Sequence, residues 1–122
     1  MKYFVGFVVL IMVPVMLTHA GEADVVKVKV LKSGEGVYRF DVTLLHDDKG
    51  WDHYADKWEI LSMDKTVLVV RKLLHPHVNE QPFTRELSGV KIPNDIEQVS
   101  VRGHDSVHAY GGQVLTVKLP AE

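Results

Sequence analysis

Seven stretches of this chain alternate apolar and polar residues with a period of two, and none carries the 3.6-residue stripe of an amphipathic helix. They cover residues 24–32, 36–46, 57–62, 66–74, 83–88, 96–103 and 113–119. The second is the clearest, with Tyr38, Phe40, Val42 and Leu44 on one side and Arg39, Asp41 and Thr43 on the other. In the first, Val26, Val28 and Val30 oppose Lys27 and Lys29. The third carries Trp58 and Ile60, the fifth Phe83 and Leu87, the sixth Val99 and Val101, and the seventh Leu115, Val117 and Leu119. The fourth begins apolar on both faces, which predicts a central strand. Successive side chains of an extended chain point to opposite faces, so each stretch predicts a strand with one buried face. Seven such strands predict an all-β fold, a seven-stranded antiparallel β-sandwich.

The first twenty residues do not belong to that pattern. Lys2 is followed by an apolar run from Phe4 to Leu17, broken by Gly6 and Pro14, and Thr18 and Ala20 place small residues before Gly21. This is the layout of a cleavable secretory signal peptide. The run is shorter than the roughly 20 apolar residues a bilayer span needs. The expectation is cleavage of residues 1–20 before Gly21, with cleavage after Ala23 as the alternative, leaving 21–122 as one domain without a stable membrane span. The product would be periplasmic or secreted.

Removing residues 1–20 takes away Lys2 and no acid, which leaves 102 residues with 13 basic and 16 acidic side chains. A mildly acidic chain lacks the basic face that nucleic acid requires. There is no cysteine. That removes thiol catalysis, thiolate metal sites and a lipid-modified N-terminal cysteine, and it leaves the core to hold an exported domain without disulfides.

The strand count and spacing, with Trp58 on the third strand, resemble immunoglobulin-like and fibronectin-type-III-like domains. The segments HDDKGWDHYADKW, LLHPHVNEQPFTR and GHDSVHAYGG resemble those of small exported bacterial proteins of unassigned role. Neither resemblance supplies a mechanism.

The histidines carry the functional signal. His46 and His53 lie between the second and third stretches, His75 and His77 between the fourth and fifth, and His104 and His108 between the sixth and seventh. In an up-and-down antiparallel sandwich these three connections share one end. Asp47, Asp48, Asp52, Asp56, Glu80 and Asp105 lie in them too, as do Trp51, Tyr54 and Tyr110. Imidazole and carboxylate together suit a divalent transition metal, Zn²⁺ or Cu²⁺. The expected ligands are His75, His77, His104, His108, His46 and His53, supported by Asp48, Asp52, Asp56, Glu80, Arg85 and Asp105. His75-Pro76-His77 is the sharpest piece, because Pro76 favours an extended geometry in which both rings face one way.

Arg85 shares parity with the inward Phe83 and Leu87, so it needs a carboxylate, with Glu80, Asp105 and Asp56 in reach. Gly103, Gly111 and Gly112 are expected to serve turns.

The first expectation is therefore a non-enzymatic exported sandwich that binds a metal ion, or a metal-dependent exported protein. Its rival is a metal-free interaction module whose His and Asp loops form a hydrogen-bonded network. A small metal-dependent hydrolase or redox enzyme comes third. Asp48-x-Gly50-x-Asp52 lacks the full calcium-loop pattern, and His104-Asp105-Ser106 are adjacent in sequence, whereas a catalytic triad requires convergence in space.

Overall fold

The computed structural model describes residues 21–122; the signal peptide expected over residues 1–20 lies outside the described residues. Seven strands follow in chain order: β1 (Asp24–Gly34), β2 (Val37–Leu45), β3 (Ala55–Leu61), β4 (Val67–Lys72), β5 (Phe83–Lys91), β6 (Gln98–Asp105) and β7 (Leu115–Lys118). They form two antiparallel sheets, a three-stranded one in the order β1-β2-β5 and a four-stranded one in the order β4-β3-β6-β7. No helix among the described residues is long and apolar enough to cross a membrane.

The inner faces of the two sheets make the core. Trp58, Phe40, Phe83, Leu44, Ile60, Val25, Val42, Val99 and Val101 are fully buried. Each such aliphatic or phenyl side chain contributes about 1.5–3 kcal/mol relative to exposure. With no disulfide, this burial and the strand ladders hold the domain.

Two expectations are corrected. The fourth stretch is an edge strand, not a central one: among the described residues β4 pairs with β3 alone, and Val67 and Val70 are exposed while Leu68 and Val69 pack on the core. In the first strand a bulge between Val25 and Lys27 inserts Val26 as an extra residue. Val26 is therefore exposed, and Val25 takes the buried place while Val28 and Val30 keep their inward positions. A bulge shifts side-chain parity by one, which alternation alone does not reveal.

The start of β1 shapes the end of the sandwich where the histidines lie. Asp24 pairs with Leu45 at the end of β2, and the Val25 amide donates to the Gln113 carbonyl at 2.9 Å. The Gln113 amide in turn donates to Asp24 Oδ1 at 2.7 Å. Residues 21–24 are thus threaded between β2 and the segment that leads into β7. Gly103 lies within β6 rather than in a turn, and both it and Gly112 clear the path of this segment. A Cβ at Gly103 would lie 3.0 Å from that of Ala23, and one at Gly112 would overlap the Ala23 carbonyl. Gly112→Ala should therefore destabilise the domain by about 3 kcal/mol in urea unfolding, near the upper end for overpacking. Gly34→Ala, where a Cβ meets nothing closer than 4.0 Å, should change stability far less. Equal effects would contradict this account of the threaded segment.

Candidate metal centre

Parity along two strands places the first two residues of the site. The buried row of β2 is Tyr38, Phe40, Val42 and Leu44, and the next residue in that row is His46. The buried row of β6 is Val99, Val101 and Gly103, and the next is Asp105. Both rows run off the apolar core at the same end, so a histidine and an aspartate meet with side chains that are 0% exposed. Their closest atoms, Nε2 and Oδ2, are 3.7 Å apart.

Two more histidines close on this pair. His53 comes from the β2–β3 connection, its ring edge-on to that of His46 with centroids 4.8 Å apart. His108 comes from the turn after β6, its ring centroid 4.9 Å from that of His53. His53 Nε2 lies 3.5 Å and His108 Nδ1 3.4 Å from Asp105 Oδ1. Exposure rises outwards, from none at His46 through 21% at His53 to 38% at His108, so the cluster opens towards solvent on the His108 side.

One backbone atom sits at the centre. The Gly21 carbonyl oxygen lies 2.9 Å from His46 Nε2, 3.1 Å from His53 Nε2 and 3.0 Å from His108 Nδ1.

Hydrogen bonds behind the cluster fix its chemistry. Asp105 Oδ1 accepts the amides of Val107 at 2.8 Å and His108 at 2.6 Å, while its buried Oδ2 has no hydrogen-bond partner among the described residues. Asp48, also fully buried, accepts the Ala55 amide at 3.1 Å, the His77 amide at 2.6 Å and His46 Nδ1 in a very short contact. With its Nδ1 proton given to Asp48, a neutral His46 points a bare Nε2 at two oxygens, Gly21 O and Asp105 Oδ2. Three acceptors facing one another in a buried space are unfavourable unless a positive particle lies between them. A carboxylate that orients a ligating imidazole from behind is the usual support of a metal-bound histidine.

The remaining histidines lie elsewhere. His104 is within β6 itself, on the outward row, where Nδ1 meets Asp56 Oδ1 at 2.5 Å and the ring packs edge-on against Tyr110. His75 and His77 do lie side by side, with ring centroids 4.7 Å apart. However, His77 Nε2 accepts from the Arg85 guanidinium at 2.8 Å, and the ring stacks on Phe83 at 3.9 Å. A guanidinium can only donate, so that nitrogen already faces a cation. Arg85 finds its carboxylate in Glu80, at 3.4 Å, rather than in Asp105 or Asp56.

The other acids are dispersed. Asp48 is engaged by three donors, Asp56 holds His104, and Asp52 is exposed with its carbonyl facing Ser106 Oγ. Ser106 Oγ also accepts the Tyr54 amide at 3.0 Å, a turn-bracing role. Among the described residues, His46, His53 and Asp105 form the group whose ligand atoms all lie within 4.8 Å of one another.

Comparison with known proteins adds one relative. The chain is 44% identical over 96 residues to a protein of Halomicrobium mukohataei named "Putative lipoprotein". The match takes in 79% of this chain and 47% of that protein, so the chain spans about half the length of the curated relative. No family model and no solved structure matches.

Nothing in the sequence marks the part played by Gly21, because a main-chain carbonyl leaves no side-chain signature. The available signal was topological. Pairing β1 antiparallel to β2 brings the residues before Asp24 to the end where His46 lies.

His77 offers a check on this geometry. Burial, with the nearby charges of Arg85 and His75, lowers its pKa from the ordinary 6.5. The unfolded chain takes up a proton near that pH which folded His77 refuses. Its contribution to stability is therefore present above pH 6.5 and is lost as pH falls through the lower folded value. An NMR titration should give a His77 ring midpoint below 6.5; one at or above 6.5 would contradict the buried, arginine-facing ring.

Proposed function

We propose that this chain is an exported β-sandwich of the immunoglobulin or fibronectin-III kind that binds one divalent transition metal ion, zinc or copper(II), through His46, His53 and Asp105, with His108 at the rim. The observation that carries this reading is the inward Nε2 of His46, backed by Asp48 and facing the partnerless Oδ2 of Asp105.

Distances support it as well. Ligand bonds of about 2.1 Å in a tetrahedral zinc site place the ligand atoms about 3.4 Å apart. The separation between His46 Nε2 and Asp105 Oδ2, 3.7 Å, is close to that edge length, and His53 Nε2 and His108 Nδ1 lie 3.5 Å and 3.4 Å from the other oxygen of the same carboxylate. With no cysteine in the chain, the nitrogen and oxygen donors favour zinc or copper(II) over copper(I). Export is supported by the residues before Gly21 and by the name of the relative, a lipoprotein. The sandwich kind is supported by the β1-β2-β5 and β4-β3-β6-β7 strand orders with Trp58 buried on β3.

A second reading has its own observation. The 2.9 Å contact between His46 Nε2 and Gly21 O is a hydrogen bond if His46 is doubly protonated. The end of the sandwich would then be a metal-free polar network presenting a recognition surface.

Zinc titration of the exported protein, purified without a histidine tag, separates the two. The metal reading expects one site with Kd below about 10 μM, tighter than incidental surface histidines achieve. His46→Ala and Asp105→Asn should each abolish it. Asp48→Asn should weaken it about 10- to 100-fold, the usual effect of removing a carboxylate behind a ligand. His75→Ala should leave it unchanged. Binding that survives His46→Ala, or no binding tighter than 10 μM, would leave the polar network as the better account.

A further inference from the structure

We propose that export itself completes this site. Cleavage between Ala20 and Gly21 converts the Gly21 nitrogen from an amide to a free amine, and that amine and the Gly21 carbonyl oxygen together chelate the metal. The inference rests on the metal reading above and adds a ligand that no side chain supplies.

Three observations carry it. First, the Gly21 oxygen is the one atom common to the cluster, within 2.9–3.1 Å of a nitrogen on each of His46, His53 and His108. Those three nitrogens and this oxygen already form a compact set of four donors.

Second, the space at this residue demands glycine. A Cβ on Gly21 would stand 2.6 Å from His108 Cε1. The close packing of His108 on position 21 is therefore possible only with no side chain there.

Third, the segment is anchored, whereas chain ends usually fray. Ala23 is 1% exposed and belongs to the core, and Asp24 and Val25 bond both β2 and Gln113.

These observations also discriminate between the two cleavage positions that the sequence allows. Cutting after Ala23 would remove the central carbonyl and a core residue. Cutting after Ala20 keeps both and leaves Gly21 as the first residue.

The chemistry of the nitrogen then follows. In the precursor it is an amide, whose lone pair is delocalised into the carbonyl of Ala20 and is not a metal ligand at neutral pH. After cleavage it is an ordinary amine. Metal binding displaces the proton of its ammonium form to solvent. The amine nitrogen and carbonyl oxygen of one residue are joined through two carbons, so a metal on both closes a five-membered ring. A second donor on the same residue raises affinity without ordering further chain. The precursor would lack this ring and bind metal more weakly, which confines tight binding to the exported form.

The test compares two exported proteins made from the full chain, the natural one and a variant with one glycine inserted between Ala20 and Gly21. Mass spectrometry establishes each mature N-terminus, circular dichroism checks the fold, and zinc is titrated into both. The expected result is a natural protein beginning at Gly21, and a folded variant beginning one residue earlier that binds zinc at least about 10-fold more weakly. Equal affinities would overturn the inference while leaving the histidine–aspartate site standing. A natural N-terminus at any other residue would also overturn it. Absence of zinc binding by both proteins would remove the metal reading on which it rests.

Discussion

The end of this sandwich depends on one buried carboxylate, Asp48. It accepts from His46 Nδ1, from the first amide of β3 and from the amide of His77, so one fully buried side chain joins the end of β2, the start of β3 and the β4–β5 connection. A buried carboxylate is tolerated only when its oxygens are satisfied. Satisfying Asp48 forces His46 into one orientation, with Nε2 inward, and forces His77 into a place where its ring stacks on Phe83 and meets Arg85. The candidate centre and the separate His77–Arg85 pair are thus two consequences of the same charge.

Asp105 is the second such group, and it is treated differently. One oxygen takes two amides of its own turn, and the other is left facing His46 with no hydrogen-bond partner among the described residues. The fold satisfies Asp48 three times over and leaves half of Asp105 bare; with Trp58 Nε1 and His77 Nδ1, Asp105 Oδ2 is a buried polar atom without a partner among the described residues, and it marks a place of polar frustration. That place is ringed by three imidazoles and opens towards solvent beside His108. A positive particle between Nε2 and Oδ2 would relieve that frustration, and a metal ion would relieve it for all the donors at once.

Alternation made the seven strands legible, because burial on one face imposes a period of two. It did not disclose the bulge at Val26 or the edge position of β4, which depend on partners distant in sequence. The gathering of histidines at one end was legible from the order of the strands; their division between inward and outward rows was not. Counting parity beyond the last apolar residue would have placed His46 and Asp105 inward and His104 outward, since the pleat continues past the hydrophobic run. His75-Pro76-His77, the most suggestive spacing, delivers adjacent rings but gives one inner nitrogen to Arg85. Long-range pairing decided that, through the inward Arg85 of β5. The role of Gly21 was hidden because it belongs to the main chain.

The central claim is that a metal ion belongs between His46 Nε2 and Asp105 Oδ2. Anomalous diffraction at the zinc edge, from crystals of the protein grown with stoichiometric zinc, tests it most directly. The account predicts one strong peak bonded to His46 Nε2, His53 Nε2 and Asp105, with His46 Nδ1 still on Asp48. A peak at His75 and His77, or none with His46 Nε2 still hydrogen-bonded to the Gly21 carbonyl, would contradict it.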